Sequence, residues 1–394
     1  MIKRIGIISL YYKNQNCGGQ LQAYALVQFL KKVHIDSTIE QIRYAYAASA
    51  SKPHKKRFFR LIYKYTLIEA IRIICRRIYM KRVQNLTDIY CPTIALDRQK
   101  GYNYFEDKLI DHSEELYTNQ NITDIIGRYD CFIVGSDQVW RNVTDSSVYL
   151  LNFVKDDSKK IAYAASVSED KLSNYSQKAF QNSLKHFKAV SVREKEAVGL
   201  LQPLCPTKIE WVLDPTMLLS AEDWNEVCEE RIVPEEYVFC YFLGADKKER
   251  KLATEFAGRK GLKLVTFIHL ANHYVAADVH FGDVQIYDVS PEKFLSLVKY
   301  AKYVFTDSFH ASVFSHIYQK EFFAFSRQGH KEMGSRLYSL TDILENRDHF
   351  CDTKDKANIQ YIMNLPAIDY TKKLPKFEQM KEKSINFLKE NLKD

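Results

Sequence analysis

Residues 303–325, with the sequence YVFTDSFHASVFSHIYQKEFFAF, decide the fold of this protein. The two ends of this stretch, YVFTD and EFFAF, are short apolar runs of the kind that form buried β-strands. Between them, a polar turn leads into a helical pattern. A strand, a helix and a second strand in this order are typical of a parallel sheet covered by helices. The pattern predicts that Ser308 and His310 lie at the start of the helix, directly after a strand.

Similar strand-like runs recur along the chain in two series. The first series comprises IGIISLYY, STIEQI, DCFIVGS, KIAYAAS, AVSVRE and KIEWVLD, and the second adds YVFCYFL, KLVTFI and DVQIYDV to the opening stretch. The charged, proline-containing segment 228–236 separates them. We therefore predict an α/β protein with two doubly wound, Rossmann-like domains, residues 1–230 and 231–394, facing a central cleft at the carboxyl ends of their strands. A terminal helix over residues 373–392 is expected to pack back on the N-terminal domain.

The composition is that of an ordinary globular protein. Of 394 residues, 46% are hydrophobic and 27% are charged, and no apolar stretch approaches the roughly 20 residues that a membrane span needs. The eight cysteines occur singly, without a CxxC pair. This favours reduced, mostly buried thiols over a disulfide framework or a zinc site. These features predict a cytoplasmic protein.

The positive charge of the chain is concentrated in residues 52–82. This segment contains eleven Lys or Arg residues and one acidic residue, Glu69, whereas the net charge of the whole chain is only +8. Its apolar residues have a one-sided helical spacing in two parts, which predicts two short basic amphipathic helices broken near Thr66. Such helices can lie on an anionic membrane surface, or they can pack on the domain and expose a basic face to water. Nucleic-acid binding is not expected, because no recognised nucleic-acid motif accompanies the charge.

Three junctions between a strand and the following loop carry candidate functional side chains. The run CFIVGSDQVW ends in Ser136, Asp137 and Gln138, which offers a carboxylate and an amide to the cleft, although polar turns with Asp are common. Arg193 follows the strand AVSV, where an arginine can bind a carboxylate or phosphate bidentately or can pair with a neighbouring acid. At the helix start, the dipole favours the neutral form of His310, which can then transfer protons near neutral pH. A capping or packing role accounts for His310 equally well.

A fourth junction, NQNCGGQLQAYAL at residues 14–26, starts a helix with a glycine pair after the first strand. Helix N-termini present free backbone N–H groups that suit phosphate or carboxylate. However, NCGG fits neither the dinucleotide-binding nor the P-loop pattern, so a compact structural turn at Gly18 and Gly19 explains this stretch equally simply. A metal site is not predicted, because His269 and His273 are four residues apart but lack the glutamate of a zinc-protease motif.

Together and in this order, these junctions resemble the polysaccharide pyruvyl transferase family. The matching motifs are NCGGQLQAYAL, FIVGSDQVW, SVRE, VLDPTMLL, SPEKFLSLVKYAKYVFTDSFHASVFSHIYQKEFF and GSRLYSLTDIL. They span residue 5 to about residue 345, which is nearly the whole chain. The resemblance implies a two-domain fold of the glycosyltransferase-B type. It also implies transfer of pyruvate from phosphoenolpyruvate to a sugar, as a cyclic ketal, during assembly of a cell-surface polysaccharide such as a capsule or exopolysaccharide.

The resemblance implies roles for individual residues. Arg193 would bind the carboxylate or phosphate of the donor, and Ser308 would support the phosphate. His310 would transfer a proton or bind phosphate, and Asp137 is the candidate base for the acceptor hydroxyl. The other positions expected to line the cleft on the acceptor side are Gly18, Gly19, Ser136 and Gln138. Two positions depart from the family pattern: Arg141 precedes Asn142, which is therefore left out of the site, and Ala311 stands where glycine is common.

The implied reaction uses phosphoenolpyruvate as a substrate and needs no separate cofactor and no metal. The basic segment 52–82 adds the expectation that the enzyme is held at the inner face of the cytoplasmic membrane. A polyprenyl-diphosphate-linked oligosaccharide would be the acceptor there.

Two other functions fit the same pattern. A nucleotide-sugar-dependent glycosyltransferase uses the same type of two-domain cleft, and a fold does not fix a function. Against it, the donor-side loop centres on Ser308, Phe309 and His310 rather than on an acidic residue placed to hold a ribose. The third candidate is a carbohydrate-binding or scaffolding protein without activity. Protection by a nucleoside diphosphate would favour the glycosyltransferase, and sugar binding without turnover would favour the scaffold.

Overall fold

The computed structural model describes residues 4–34, 36–45, 75, 78, 92–268, 276–278, 280–327, 331–352 and 355–393. The predicted basic helices at 52–82, apart from Cys75 and Ile78, lie outside the described residues. The same holds for His269 and His273.

Six strands of the N-terminal half form one parallel sheet, in the order β2-β1-β3-β4-β5-β6. The strands are β1 (Arg4–Ile8), β2 (Thr38–Gln41), β3 (Cys131–Val134), β4 (Lys160–Ala165), β5 (Ala189–Val192) and β6 (Ile209–Trp211). The α-helices described in this half are α1 (Cys17–Val33), α2 (Pro92–Lys108), α3 (Asn174–Ser183), α4 (Lys195–Leu201) and α5 (Ala221–Asn225). Every residue of β3, β4 and β5 is buried, as expected for a parallel sheet covered on both faces.

Five strands of the C-terminal half form a second parallel sheet, in the order β11-β10-β7-β8-β9. They are β7 (Tyr237–Tyr241), β8 (Lys263–Phe267), β9 (Val284–Ile286), β10 (Tyr303–Thr306) and β11 (Glu321–Ala324). The α-helices described here are α6 (Lys247–Lys260), α7 (Pro291–Lys299), α8 (Phe309–Ile317), α9 (Lys331–Ile343), α10 (Ile359–Asn364) and α11 (Pro375–Asn391). The strand-like runs of the sequence each contain one of these strands, and residues 303–325 form β10, α8 and β11, as their pattern predicts.

Two helices that follow sheet strands begin with side-chain caps. The Asn16 side chain accepts hydrogen bonds from the backbone N–H groups of Gly18 and Gly19 at the start of α1. The Ser308 hydroxyl accepts one from the Ala311 N–H at the start of α8. Because α1 follows β1 and α8 follows β10, these N-termini lie at the carboxyl edges of the two sheets.

Aromatic side chains on three helices pack together and join the two halves of the molecule. The Trp224 ring lies 5.6 Å from the Tyr24 ring on α1 and 4.9 Å from the Phe314 ring on α8, and one hydrophobic core runs through residues of both halves. At the end of the chain, α11 lies against the N-terminal sheet. There the Leu213 N–H donates to the Ser384 hydroxyl at 2.8 Å.

The seven cysteines in the described part of the chain are unpaired, and five of them are buried. No helix in this part is long and apolar enough to cross a membrane.

Candidate active site

Asp214, which follows β6 and is 1% exposed, lies at the centre of a charged cluster. One carboxylate oxygen accepts hydrogen bonds from the Thr216 N–H at 3.0 Å and its hydroxyl at 2.7 Å. The other accepts from Arg193 Nη1 at 2.6 Å and Ser136 Oγ at 3.2 Å, and His310 Nε2 lies 3.7 Å away. Burial alone would raise the pKa of Asp214, but the contacts with His310 and Arg193 hold it well below its usual range. The ionised carboxylate therefore binds side chains from both domains.

Arg193 follows β5, and its guanidinium is almost completely buried. Besides the pair with Asp214, its Nη2 lies 3.5 Å from Asp137 Oδ1 and its Nε lies 3.7 Å from Glu194 Oε1. The guanidinium also stacks on the Phe309 ring, 4.6 Å from its centroid. Burial would lower the pKa of Arg193, but the neighbouring carboxylates raise it above its usual value. Arg193 Nε has no hydrogen-bond acceptor within the described residues.

Gly18 allows His310 to approach the backbone of α1. A Cβ atom at this position would lie 2.0 Å from His310 Nδ1, closer than any real contact. His310 is buried, and its Nε2 has no hydrogen-bond partner among the residues described. Gly19 lies in the first turn of α1, and a Cβ atom on Gly19 would be 2.9 Å from the side-chain nitrogen of Asn14. The glycine pair is therefore needed for close packing, and Gly18 is the point where the two domains meet at the site.

The residues expected on the acceptor side lie in different environments in the structure. Ser136 is fully buried, and its hydroxyl donates to the Ala164 carbonyl and to Asp214, so it lies behind the Asp214 carboxylate. Gln138 is only partly buried, and its Oε1 accepts from Arg141 Nη1 at 3.2 Å. Asp137 contacts Arg193 and thus belongs to the charged cluster.

The residues expected on the donor side lie close to one another in the structure. Ser308 is buried, and its hydroxyl serves as the cap of α8. His310, in the first turn of the same helix, reaches across to Asp214. The structure therefore brings Arg193, His310 and Asp137 into one cluster and places Ser308 at its edge.

Two further arginines, one buried and one partly buried, lie beside this cluster and were not predicted. Arg336, on α9, is 5% exposed, and burial together with Arg193 lowers the pKa of its guanidinium to about 10. Arg327 follows β11; its Nε lies 3.2 Å from Asp307 Oδ2, and its Nη2 donates to the Asp307 carbonyl at 3.1 Å. The sequence contains features that mark these residues. Arg336 and Asp214 occur in the motifs GSRLYSLTDIL and VLDPTMLL, and Arg327 follows a strand as Arg193 does.

The edge of the second sheet also carries acidic groups. The Asp307 carboxylate accepts hydrogen bonds from the N–H groups of Leu243 and Gly244, each at 2.7 Å. Glu249, in the first turn of α6, is 5% exposed. Burial and the nearby Asp307 charge raise the pKa of Glu249 to about 9, so this group is protonated at neutral pH.

Two parallel α/β domains that meet at the carboxyl edges of their sheets define a fold of the glycosyltransferase-B type. UDP-GlcNAc 2-epimerase from Methanocaldococcus jannaschii shares this fold with a TM-score of 0.56 and 11% identity, over 98% of this chain and 99% of its own. A putative UDP-N-acetylglucosamine 2-epimerase from Listeria monocytogenes gives a TM-score of 0.51 and 12% identity, over 100% of this chain and 97% of its own. At these identities the likeness shows the fold alone.

The family follows from the sequence. The family model of polysaccharide pyruvyl transferase matches residues 16–329, well over half of the chain. The chain therefore belongs to the polysaccharide pyruvyl transferase family, and the resemblance of its motifs is confirmed. It is a transferase, and its family supports the transfer of pyruvate to a polysaccharide. No curated protein matches the chain.

Proposed function

We propose that this enzyme transfers the pyruvyl group of phosphoenolpyruvate to two hydroxyls of one sugar in a cell-surface polysaccharide precursor, forming a cyclic ketal. Family membership supports pyruvate transfer to a polysaccharide. The single observation that supports this donor is the group of arginines beside His310 in the cleft, of which Arg193 and Arg336 are buried and Arg327 is partly buried. Phosphoenolpyruvate carries a carboxylate and a phosphate, so it needs several cations around it.

Two buried donors lack, within the described part of the chain, a hydrogen-bond partner that an anion could supply. Arg193 Nε and His310 Nε2 lack hydrogen-bond acceptors among the described residues, and buried donors without partners are rare in folded proteins. Carboxylate or phosphate oxygens would satisfy both. The low pKa of Arg336 supports the same idea, because an anion would relieve the repulsion from its cationic neighbours.

The proposed reaction proceeds in three steps. His310 gives a proton to C3 of the enol, so that C2 becomes electrophilic, and an acceptor hydroxyl attacks C2 while Asp137 takes its proton. The bond from C2 to the phosphate oxygen breaks, and phosphate leaves toward Arg193 and the N-terminus of α8. The departing phosphate takes the proton from Asp137. The second hydroxyl then adds to C2 and gives its proton to His310, which lost one in the first step, and this closes the ketal ring. Asp214 positions His310 and Arg193 and does not contact the reacting atoms.

We further propose that no cofactor or metal takes part. Within the described ranges, no group of three or more His, Cys, Asp or Glu side chains is arranged to hold a metal ion. The acidic groups of the cleft are instead paired with arginines and backbone N–H groups.

The proposed acceptor is a polyprenyl-diphosphate-linked oligosaccharide at the inner face of the cytoplasmic membrane, with residues 52–82 as the membrane contact. The eleven basic residues of this segment support the proposal, because each Lys or Arg near an anionic surface contributes about 1 kcal/mol. Deletion of residues 52–82 should release the protein from anionic liposomes. Unchanged liposome binding would refute the membrane contact.

The decisive experiment incubates the purified protein with phosphoenolpyruvate and a panel of lipid-linked or synthetic galactosides, mannosides and N-acetylhexosaminides. Phosphate release and product mass are followed. We expect a product heavier by one pyruvyl ketal with the wild type, and none with Arg193→Ala or His310→Ala. Arg259→Ala is the control, because Arg259 lies on the surface and pairs with Glu255. Thermal protection by a nucleoside diphosphate but not by phosphoenolpyruvate would contradict the proposal.

A further inference from the structure

A second concave region lies at the opposite ends of α8 and α9 from the cleft. It consists of a cavity of about 210 Å³ and an adjoining groove of about 720 Å³, which share the lining residues His316, Tyr370, Lys372 and Leu374. His316 is six residues beyond His310 on α8, which corresponds to about 9 Å along the helix axis. None of the charged residues assigned to the reaction cleft lines either space. The region is therefore separate from the reaction cleft.

The wall of the smaller cavity contains an unsatisfied amide. Asn346 is 8% exposed, and both its Nδ2 and its Oδ1 lack hydrogen-bond partners within the part of the chain that the structure describes. Its backbone is held firmly, because its N–H donates to the Thr341 carbonyl and its carbonyl accepts from the His349 N–H, both at 3.0 Å. A buried polar group without a partner costs about 1–3 kcal/mol. Neither amide atom is accessible in the observed side-chain conformation, so a ligand supplies the missing donor and acceptor when the Asn346 side chain turns toward the cavity.

The other groups around this cavity suit a sugar ring. The His316 and Tyr370 rings, 5.9 Å apart, line the cavity and give it apolar surface for C–H groups. The carboxylates of Glu345 and Asp348 also line it; each pairs with one lysine and has further lone pairs for hydroxyls. Burial lowers the pKa of His316 to about 4, so its ring is neutral. A hydroxyl both donates and accepts hydrogen bonds, as does an amide. The volume corresponds to about seven water molecules, which is the scale of one sugar ring.

The larger groove carries positive charge. It is lined by Lys372, Lys373 and Lys381 and by one acid, Glu378. Lys372 also pairs with Glu345 of the adjoining cavity at 3.4 Å, so the excess positive charge of the groove comes from Lys373 and Lys381 against Glu378. The N-terminus of the 17-residue helix α11 also lies there, and it has no side-chain cap because Leu374 occupies the cap position. The positive end of the helix dipole and the lysines favour an anionic group at this place.

We propose that the cavity and the groove together form a saccharide-binding site outside the reaction cleft. The cavity binds a neutral sugar ring through hydrogen bonds with the Asn346 amide. The groove binds the next sugar of the same chain, which carries an anionic substituent. A site of this kind holds one part of a polysaccharide while another part reacts. The choice of a saccharide rests on the proposed function, but binding there does not require pyruvyl transfer.

The test measures saturation-transfer NMR on the full-length protein without donor. The probes are three tetrasaccharides: neutral cellotetraose, tetragalacturonate, and a hyaluronan tetrasaccharide in which acidic and neutral sugars alternate. We expect the hyaluronan fragment to bind best. Asn346→Leu and the near-isosteric Asn346→Asp should weaken it at least tenfold, and Lys373→Glu should weaken only the acidic probes. Asn182→Leu, at an exposed position, is the matched control, and circular dichroism verifies folding of each variant.

The outcomes separate this inference from the proposed function. Binding that persists in His310→Ala and is lost in Asn346→Leu supports the second site, even if the wild type shows no turnover with phosphoenolpyruvate. The inference is overturned if none of the three tetrasaccharides binds, or if Asn346→Leu binds them as well as Asn182→Leu. It is also overturned if His310→Ala abolishes binding while the Asn346 variants retain it, because the saccharide would then occupy the cleft.

Discussion

Asp214 and Glu249 are both buried carboxyl groups at the carboxyl edge of a parallel sheet, yet their charge states are opposite. Asp214 accepts hydrogen bonds from the side chains of Thr216, Ser136 and Arg193, and its pKa lies well below the usual range. Among the described residues no hydrogen bond to the Glu249 side chain is present. Burial and the neighbouring Asp307 charge raise the pKa of Glu249 to about 9.

The difference shows that burial alone does not decide whether a carboxyl group is charged. Burial penalises the charged form of both groups, and the polar partners of each group determine the outcome. In the cleft, the ionised Asp214 pairs with Arg193 of the first domain and lies 3.7 Å from His310 of the second. At the edge of the second sheet, protonated Glu249 leaves Asp307 as the negative charge beside Arg327. The cleft is thus organised around one fixed carboxylate.

The largest effect is expected for Asp214→Asn, which removes that carboxylate charge. Arg193 would then be buried with a weaker partner, and breaking a buried pair costs about 3 kcal/mol. His310 would lose its anchor as well, so phosphoenolpyruvate turnover should fall about 1000-fold, which corresponds to about 4 kcal/mol. Urea unfolding and phosphate release measure the two effects.

The control for this substitution is Asp156→Asn. Asp156 accepts from the Ser158 N–H at 3.0 Å and its hydroxyl at 2.6 Å, an arrangement like that of Asp214 with Thr216, but at an exposed position. Its stability loss should stay below about 1 kcal/mol. Equal losses in both variants would contradict the central role of Asp214.

The second prediction moves His310 away from Asp214 without changing any charge. In Gly18→Ala the new methyl group would overlap the imidazole ring, since a Cβ would lie 2.0 Å from Nδ1. We expect turnover to fall about 100-fold, because small displacements of catalytic groups have effects of this size. Gly199→Ala in α4 is the matched control, since its Cβ would have open space. That control should gain about 0.5–1 kcal/mol in stability and keep its activity. Full activity of Gly18→Ala would show that the position of His310 is not critical.

The third prediction concerns Arg336, which lies among other cations. Arg336→Gln should raise KM for phosphoenolpyruvate about tenfold or more, since a charge-assisted hydrogen bond contributes about 1.5–3 kcal/mol. The substitution also relieves repulsion from Arg193. Arg347→Gln, on the surface beside Asp342, is the control. An unchanged KM would exclude Arg336 from the donor site.

The smallest effect on turnover is expected for Glu249→Gln, whose effect appears in the pH dependence of stability instead. The ordinary pKa of Glu is 4.5, and the native pKa of Glu249 is about 9. Between these values the native state keeps a proton that the unfolded state has released, so the free energy of unfolding falls as pH rises. Below pH 4.5 the group has no effect, and above pH 9 its effect is constant. At pH 8 the Gln variant should be more stable than the wild type, and the difference should disappear below about pH 4.5. Parallel stability curves from pH 5 to 9 would contradict the raised pKa.

Much of the site could be predicted because its residues follow strands. Arg193 comes directly after β5, Asp137 lies three residues after the end of β3, and His310 lies in the first turn of the helix after β10. Local patterns reveal such junctions. Asp214 follows β6 in the same way, but its sequence neighbourhood does not show that it would pair with a cation. Arg336 lies within α9, where no strand end marks it. Its place beside Arg193 depends on how the second domain packs against the first.

The sequence by itself determined the two parallel sheets, their helices and the family, because strand and helix periodicity and turn residues are local properties of the chain. Only the tertiary structure decided that Gly18 lies against His310 and that Asp214 joins Arg193 to His310. These contacts connect residues far apart in the chain, and they form only when the two cores pack together. The same packing removes water from the charged groups, and for that reason their charge states depend on their partners rather than on residue type.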